Sequence, residues 1–199
     1  MKLFMIVHDN IVKKSMQYES QNWNKVWEPF LQSLKEICSD PRKELTLKAY
    51  QNLCHILFSE CGCNLNRTNL KKCFDTILLS LVNVENIEKQ QLIYLRLSSI
   101  SLISKMLLLH LSKLIQLSDF TCLWLKTIQL FYILIGKNPN KLIESSQEII
   151  KNMILVCSKE GIFQPPIQNQ QEINLIIWNK TWPILDPFFP KFKRRIISN

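Results

Sequence analysis

The apolar stretch between residues 96 and 134 constrains the fold of this chain more than any other part of the sequence. It reads RLSSISLISKMLLLHLSKLIQLSDFTCLWLKTIQLFYIL, and its apolar residues recur at steps of three and four, the spacing of one face of an α-helix. A second apolar stripe runs beside the first, which leaves only a narrow polar strip for water. A helix that is apolar over most of its circumference must be packed on several sides. We therefore predict two central helices, over 91–116 and 119–135, in the middle of a helical stack.

The low glycine content indicates that the rest of the chain is helical as well. Only 3 of the 199 residues are glycine, and the Asn-Gly and Asp-Gly pairs typical of β-hairpins are absent. A chain of this length with 47% hydrophobic residues can bury a sizeable core. The sequence predicts an all-α fold of about eight helices in a single helical-repeat domain over 1–199.

Several residues are of the types that are common at the ends of helices. Asp40 is expected to cap a helix whose first position is Pro41, and Thr68 to cap the helix that follows. Gly136 and Gly161 suit the left-handed position just after a helix, so we expect one helix to stop at each.

The prolines predict local breaks. Pro29 is tolerated in its helix only in the first turn or with a kink, and the segment KNPN at 137–140 is typical of a turn. Pro183 disfavours helical geometry at the residue before it, which predicts a kinked or split terminal helix.

One segment has the spacing of a HEAT or armadillo repeat. Asp40, Leu45, Ala49 and Leu53 match the second helix of such a repeat, in which a small residue lets paired helices approach closely, although Thr46 stands where a basic residue is usual. We therefore predict a HEAT/armadillo-like α-α superhelical stack. Its predicted structural core includes Trp27, Ala49, Leu53, Leu107, Trp124, Phe131, Trp178 and Trp182.

The positive charge is concentrated near one end. Of the net charge of +9, four charges come from Lys191, Lys193, Arg194 and Arg195 in a tail, 191–199, that we expect to be disordered. These residues are candidates for contact with anionic headgroups or an acidic partner, and a merely solvated end is an equal alternative. Nucleic acid is disfavoured because no basic stripe interleaved with aromatic residues occurs outside this tail.

Charged residues also divide the apolar regions into pieces shorter than the roughly 20 residues that a membrane-spanning helix needs. The first ten residues, MKLFMIVHDN, lack the apolar length of a secretory signal. We therefore predict a cytoplasmic protein with no spanning segment. Its cysteines are expected to be reduced, with five of them acting as small apolar fillers in helices: Cys38, Cys54, Cys73, Cys122 and Cys157.

The sequence contains no convincing catalytic or metal-binding motif. Cys61 and Cys63 could be grouped with Cys73 and His55 as zinc ligands, but their Cys-x-Cys spacing differs from the usual Cys-x₂-Cys knuckle. The histidines lack neighbouring nucleophile or carboxylate motifs, and no phosphate-binding glycine loop occurs. We predict no catalytic residue, no metal, no cofactor and no small-molecule substrate.

Four blocks, in order, resemble a known family. They are VWEPFLQSLKEICSDPRKELTLKAYQNL (26–53), RLSSISLISKMLLLHLSKLIQLSDFTCLW (96–124), ESSQEIIKNMILV (144–156) and IIWNKTWPILDPFFP (176–190). Together they resemble the C-terminal helical regions, downstream of the Sec-seven catalytic domain, of the large Golgi-type Arf guanine-nucleotide exchange factors of the brefeldin A resistance class.

The resemblance implies a function without catalysis by this chain. The parent proteins release GDP from Arf at Golgi membranes, and no Phe-Arg-Leu-Pro-like loop with a following glutamate occurs here. The chain thus resembles a fragment or split product of such a factor: a regulatory and membrane-recruitment module, cytoplasmic and peripheral on Golgi membranes. The implied partners are other proteins, other parts of the same exchange factor and an anionic Golgi membrane. The alternative is a free-standing HEAT-like interaction scaffold unrelated to Arf.

Overall fold

Helices account for all the regular structure in the part of the chain that the computed structural model describes, which is residues 23–81, 89–137, 139–163, 172–187 and 189. The all-α prediction is confirmed. The chain divides into two compact units, residues 1–88 and 89–199, which are described separately below. The single domain expected over 1–199 and the HEAT/armadillo class of the repeat stay predictions.

The described part of the first unit, residues 23–81, contains four α-helices and two π-helical segments. A first π-helical segment, Trp23–Trp27, leads directly into α1. The helices are α1 (Glu28–Ile37), α2 (Lys43–Leu57), α3 (Glu60–Cys63) and α4 (Arg67–Lys72), and α4 continues into a second π-helical segment, Cys73–Leu78. Helix α1 packs on α2 and on the second π-helical segment.

Pro29 lies in the first turn of α1, which is one of the two arrangements that the sequence allowed. The π-helical segment Trp23–Trp27 runs directly into α1, so this proline follows a wider helical turn and not a free helix end. Trp27, just before α1, is almost fully buried.

The predicted start of α2 is wrong by two residues. Arg42, in extended geometry, is the N-cap residue, and the helix begins at Lys43 rather than at Pro41. Asp40 accepts hydrogen bonds from the Arg42 backbone N–H at 2.8 Å and from Nε and Nη2 of the Arg42 guanidinium at 2.9 Å each. The side-chain and backbone hydrogen bonds from Arg42 lower the pKa of Asp40 to about 2. The aspartate therefore fixes the turn before the helix instead of capping its first N–H groups.

The next helix is capped by Asn66 rather than by Thr68. The Asn66 side chain accepts a hydrogen bond from the Asn69 N–H at 2.8 Å, which satisfies one of the free donors at the start of α4. Upstream, α2 ends at Leu57. A Cβ added at Gly62 would lie 2.1 Å from the Leu57 carbonyl oxygen, so the close approach of the two backbones requires glycine.

Five helices lie in the part of the second unit that the structure describes. They are α5 (Lys89–Leu109), α6 (Leu111–Leu114), α7 (Phe120–Lys137), α8 (Pro139–Lys159) and α9 (Glu172–Leu185). Helix α8 packs along α5, and α9 packs along α7, while α7 also contacts α8 and α5. The two central helices of the sequence prediction thus correspond to α5 and α7, each covered by a later helix.

The first central helix is shorter than predicted, because 91–116 is interrupted at His110. The His110 backbone, at φ −108° and ψ 15°, leaves helical geometry, and its carbonyl accepts hydrogen bonds from Lys113 and Leu114. Its side chain is buried. No glycine or proline marks this break, so it depends on packing that local sequence signals do not contain.

Two other predicted helix ends are also wrong. Gly136, expected just after a helix, lies inside α7 and is exposed to solvent. Among the described glycines, Gly161 is the one with positive φ, the left-handed conformation expected after a helix. Pro139, expected in a turn, begins α8, since a proline at the first helical position loses no hydrogen bond.

Helix α9 is continuous through Pro183, so the predicted split is wrong, while the predicted kink stays a prediction. Proline removes the hydrogen bond to the carbonyl four residues earlier, that of Asn179. Asn179 is exposed, so water can hydrate its carbonyl, and the buried Trp182 and Leu185 hold the helix on either side of Pro183.

A few large apolar residues of the helices lie at the surface. Leu109, Val156 and Leu175 are 49%, 37% and 38% exposed. Cys122, interpreted from the sequence as an apolar filler, is exposed, and Cys54 is half-buried. Periodicity gives the direction of a side chain but does not show which faces a neighbouring helix covers.

Three thiols are buried, and their burial disfavours the ionised form. Burial raises the pKa of Cys38, Cys73 and Cys157 to about 12, with smaller contributions from Cys54, Glu28 and Glu160 respectively. A thiol attacks as the thiolate, so these three are chemically inert at neutral pH.

One helix has the length and apolar composition that crossing a membrane would require. It spans Gln90–Leu109 within α5, and half of that window is buried inside the protein. A core helix meets the same criteria, and α8 packs along this one. The predicted absence of a spanning segment stays a prediction.

Candidate functional site: an open groove between two helices

The eight residues predicted to form the structural core are all buried. They belong to both units, and their exposed fraction is at most a few per cent: Trp27, Ala49, Leu53, Leu107, Trp124, Phe131, Trp178 and Trp182. The basic residues Lys191, Lys193, Arg194 and Arg195 lie outside the described residues, as does the rest of the tail 191–199.

No group of three His, Cys, Asp or Glu side chains able to hold a metal ion occurs among the described residues. Of the four zinc candidates, Cys73 is fully buried and Cys63 half-buried, while the side chain of Cys61 is not described. The second unit provides a candidate surface for binding.

An aromatic cluster holds α7 and α9 together. Phe163 lies at its centre, with its ring centroid 5.9 Å from Trp124, 5.0 Å from Trp178 and 5.4 Å from Trp182. Trp178 and Trp182 are one turn apart on α9 and meet edge to face at 5.3 Å. Offset and edge-to-face pairs of this kind stabilise by about 0.5 to 1.5 kcal/mol each beyond the area they bury.

Phe163 reaches this cluster because of the way α8 ends. Gly161 adopts φ 72°, its N–H bonds to the Ser158 carbonyl at 3.0 Å, and the Ile162 N–H bonds to the Cys157 carbonyl at 2.9 Å. This is the Schellman arrangement, which reverses the chain after a helix. Asn174 of α9 then donates to the Gly161 carbonyl at 2.7 Å, so the turn is tied to the helix it faces.

A buried hydrogen bond fixes the position of α7 on α9. The Trp124 indole Nε1 donates to Thr181 Oγ1 at 2.8 Å, and the same hydroxyl donates to the Ile177 carbonyl at 2.6 Å. Trp124 and Thr181 are fully buried. Because the donor is satisfied only at one relative position of the two helices, the bond selects that position.

An open groove of about 800 Å³ runs along the same two helices. It is lined by the two residues before α7, by one face of α7 and by two residues of α9: Ser118, Asp119, Thr121, Cys122, Leu125, Lys126, Gln129, Ile176 and Lys180. At about 100° per residue, Cys122, Lys126 and Gln129 lie on the side of α7 opposite to Trp124. The groove and the aromatic cluster therefore use opposite faces of one helix.

The groove combines an apolar centre with basic walls. Leu125 and Ile176 are half-buried in it, whereas Lys126 on α7 and Lys180 on α9 are exposed. The one acidic side chain in its lining is the half-buried Asp119. The groove arises from the juxtaposition of two helices some 50 residues apart, so no local sequence pattern predicts it.

Comparison with known proteins places the chain in a defined context. The profile of the family described as "GBF1-like, tetratrico peptide repeat region" matches residues 27–192. That range contains every described helix except the first π-helical segment, most of which precedes it.

Curated relatives are similar over most of this chain. It is 27% identical to the ARF guanine-nucleotide exchange factor GNOM of Arabidopsis thaliana over 96% of the chain and 14% of the relative. It is 28% identical to the Golgi-specific brefeldin A-resistance guanine nucleotide exchange factor 1 homolog of Caenorhabditis elegans, over 89% and 9%. The ARF guanine-nucleotide exchange factor GNL1 of Arabidopsis thaliana is 23% identical, over 92% and 13%. The chain thus spans only about a tenth of the length of these relatives. No solved structure matches it.

Proposed function

Because this chain belongs to the family of GBF1-like, tetratrico peptide repeat regions, we propose that it is a non-catalytic regulatory and recruitment module of an Arf guanine-nucleotide exchange factor acting in Golgi vesicle traffic. The observation that carries the proposal is the match over residues 27–192, supported by relatives that are named as Arf exchange factors. It favours this function over a scaffold unrelated to Arf.

The structure supports a binding role through the kind of surface it offers. The described residues form helix pairs with apolar cores and an open groove. Nucleotide exchange needs a carboxylate aimed at the phosphate and magnesium of the bound nucleotide. Of the described acidic residues, Asp40 and Asp75 pair with Arg42 and Lys71 on the surface. We propose that exchange is carried out elsewhere in the factor.

Recruitment would place the protein in the cytoplasm, peripheral on Golgi membranes, where it contacts protein partners and other parts of the same exchange factor. The name of the Caenorhabditis elegans relative supports the Golgi assignment. The four basic residues Lys191, Lys193, Arg194 and Arg195 are proposed to contribute contact with anionic lipid, at about 1 kcal/mol for each basic residue near the surface.

The exchange reaction provides a direct test of the non-catalytic part. Release of a fluorescent GDP analogue from Arf is measured with and without the purified chain, in the presence of liposomes. We expect the spontaneous rate in both cases. Acceleration that is lost on replacing one acidic residue would contradict the proposal.

Recruitment is tested by sedimentation with liposomes that contain anionic lipid. Replacing Lys191, Lys193, Arg194 and Arg195 with glutamine should weaken binding, most strongly at low salt. The matched control replaces four exposed lysines elsewhere with glutamine: Lys25, Lys43, Lys48 and Lys105. If both variants lose liposome binding equally, only net charge matters. If the unmodified chain does not bind the liposomes, the proposed lipid contact does not exist.

A further inference from the structure

The groove along α7 and α9 lies on two helices whose relative position is fixed. The helices that form it are fixed to one another on the opposite face of α7 by the Trp124–Thr181 hydrogen bond and by the rings around Phe163. A site on helices that are already held in position binds without the cost of ordering itself. Its volume of about 800 Å³ accommodates several side chains at once.

The side chains that line the groove indicate which kind of ligand it would bind. Leu125 and Ile176 present apolar surface, and Lys126 and Lys180 place positive charge on the two walls. Asp119 supplies one opposing charge at the beginning of α7, so the lining has a net positive charge. We infer that this groove binds an acidic amphipathic helix of a protein partner, with apolar residues against Leu125 and Ile176 and carboxylates beside Lys126 and Lys180.

A helix suits the site better than a lipid surface does. An amphipathic helix inserts a ridge of apolar side chains into a concave groove, and its flanking charged residues reach the walls. A membrane surface is broad and cannot follow a cleft between two helices. This inference rests on the proposed role as a binding module and specifies the class of partner.

The binding test uses a fluorescein-labelled synthetic peptide of about 18 residues, long enough to form a helix, with leucines on one face and glutamates beside them. Fluorescence anisotropy measures its Kd for the full chain. The variant K126E/K180E should bind about tenfold more weakly, because two attractive charge pairs become repulsive. The control K105E/K159E changes two exposed lysines outside the groove by the same charge and should keep the original Kd. Circular dichroism establishes that each variant is folded. If K126E/K180E is not folded, K126Q/K180Q serves in its place.

The location of the peptide is tested through Cys122. This residue lies in the groove and is the exposed one among the cysteines whose side chains are described. Its alkylation by N-ethylmaleimide is followed by mass spectrometry of the tryptic fragment 114–126, which contains no other cysteine. Saturating peptide should slow this alkylation severalfold, whereas a peptide of the same composition in scrambled order should not.

Three results would overturn the inference: no binding of the peptide, equal binding by K126E/K180E, or unchanged alkylation of Cys122 in the complex. Protection of Cys122 by vesicles of phosphatidylserine and phosphatidylcholine, without protection by the peptide, would assign the groove to lipid instead. The liposome and GDP-release measurements do not involve the peptide, so this inference can fail while the proposed function stands.

Discussion

The Trp124 indole donates a hydrogen bond to the Thr181 hydroxyl at 2.8 Å, across the buried surface between α7 and α9. Both side chains are fully buried, and neither could find water if the bond were broken. The pair therefore links the middle of the second unit to its last helix through one specific contact.

Removing the Trp124 ring should destabilise the protein strongly. Trp124→Ala leaves a cavity beside Phe163 and Phe120, so the free energy of unfolding should fall by about 3 to 5 kcal/mol. Urea unfolding followed by circular dichroism measures the change. Lys126→Ala, on the exposed side of the same helix, is the control and should change stability by less than about 0.5 kcal/mol. An unchanged unfolding midpoint for Trp124→Ala would contradict the placement of this ring.

The hydrogen bond itself can be separated from the packing. Thr181→Val preserves the shape of the side chain but leaves the indole N–H buried without an acceptor, which should cost about 1 to 3 kcal/mol. In Trp124→Phe the donor is absent, so adding Thr181→Val to it should cost less. A double-mutant cycle of unfolding free energies measures this coupling, and strictly additive effects would show that the contact contributes nothing.

Pro183 should be a site where stability can be gained. Pro183→Ala restores the backbone donor to the Asn179 carbonyl within α9, and alanine is about 3 kcal/mol more favourable than proline in a helix interior. The greater freedom of the unfolded chain offsets part of this, so we expect a net gain of about 1 to 2 kcal/mol in thermal or urea unfolding. Pro187→Ala, outside the helix, is the control. Loss of stability in Pro183→Ala would indicate that α9 depends on its proline.

Replacing either of two helix-associated glycines of the second unit with alanine should change the stability of the protein, but in opposite directions. Gly161 has φ 72°, where a Cβ costs about 1 to 2 kcal/mol, so Gly161→Ala should destabilise. Gly136 is exposed inside α7, so Gly136→Ala should stabilise by about 0.5 to 1 kcal/mol. Calorimetric melting temperatures of the two variants, measured side by side, test the corrected helix ends. A gain in Gly161→Ala would refute the turn after α8.

Asp40 should make the stability of the protein depend on acid pH. Its pKa of about 2 in the folded protein lies below the ordinary value of 3.8, so the ionised form is favoured by folding. This contribution is complete above about pH 4 and is lost as the pH falls through about 2. Asp40→Asn should therefore be less stable than the unmodified protein at pH 7, and the difference should shrink between pH 4 and pH 2.

The partner of Asp40 provides the control for that experiment. In Arg42→Gln the guanidinium is absent, so Asp40→Asn added to it should show a much smaller pH dependence. Urea unfolding at pH 7, 4, 3 and 2 for the four proteins gives the comparison. A constant difference at all pH values would rule out ionisation of Asp40 as its cause.

Much of the core was predictable because buried helical faces repeat every three to four residues, as Trp124, Trp178 and Trp182 show. Phe163 was not predictable in this way, since it follows the turn at Gly161, where helical periodicity carries no information. The break at His110 has no glycine or proline to announce it, and the continuity of α9 through Pro183 is imposed by packing. The groove between Lys126 and Lys180 depends on tertiary structure alone.

The two π-helical segments bear on how the helices of the first unit can change in length during evolution. In the second, the Leu79 N–H bonds to the Phe74 carbonyl, five residues earlier, at 3.0 Å, so this turn contains one residue more than an α-helical turn. A wide turn absorbs an inserted residue locally, and the buried positions on either side keep their direction. Relatives one residue shorter at Trp23–Trp27 or Cys73–Leu78 can therefore retain the same core with a plain α-helix. A one-residue deletion within α2 would instead rotate every later side chain of that helix by about 100°.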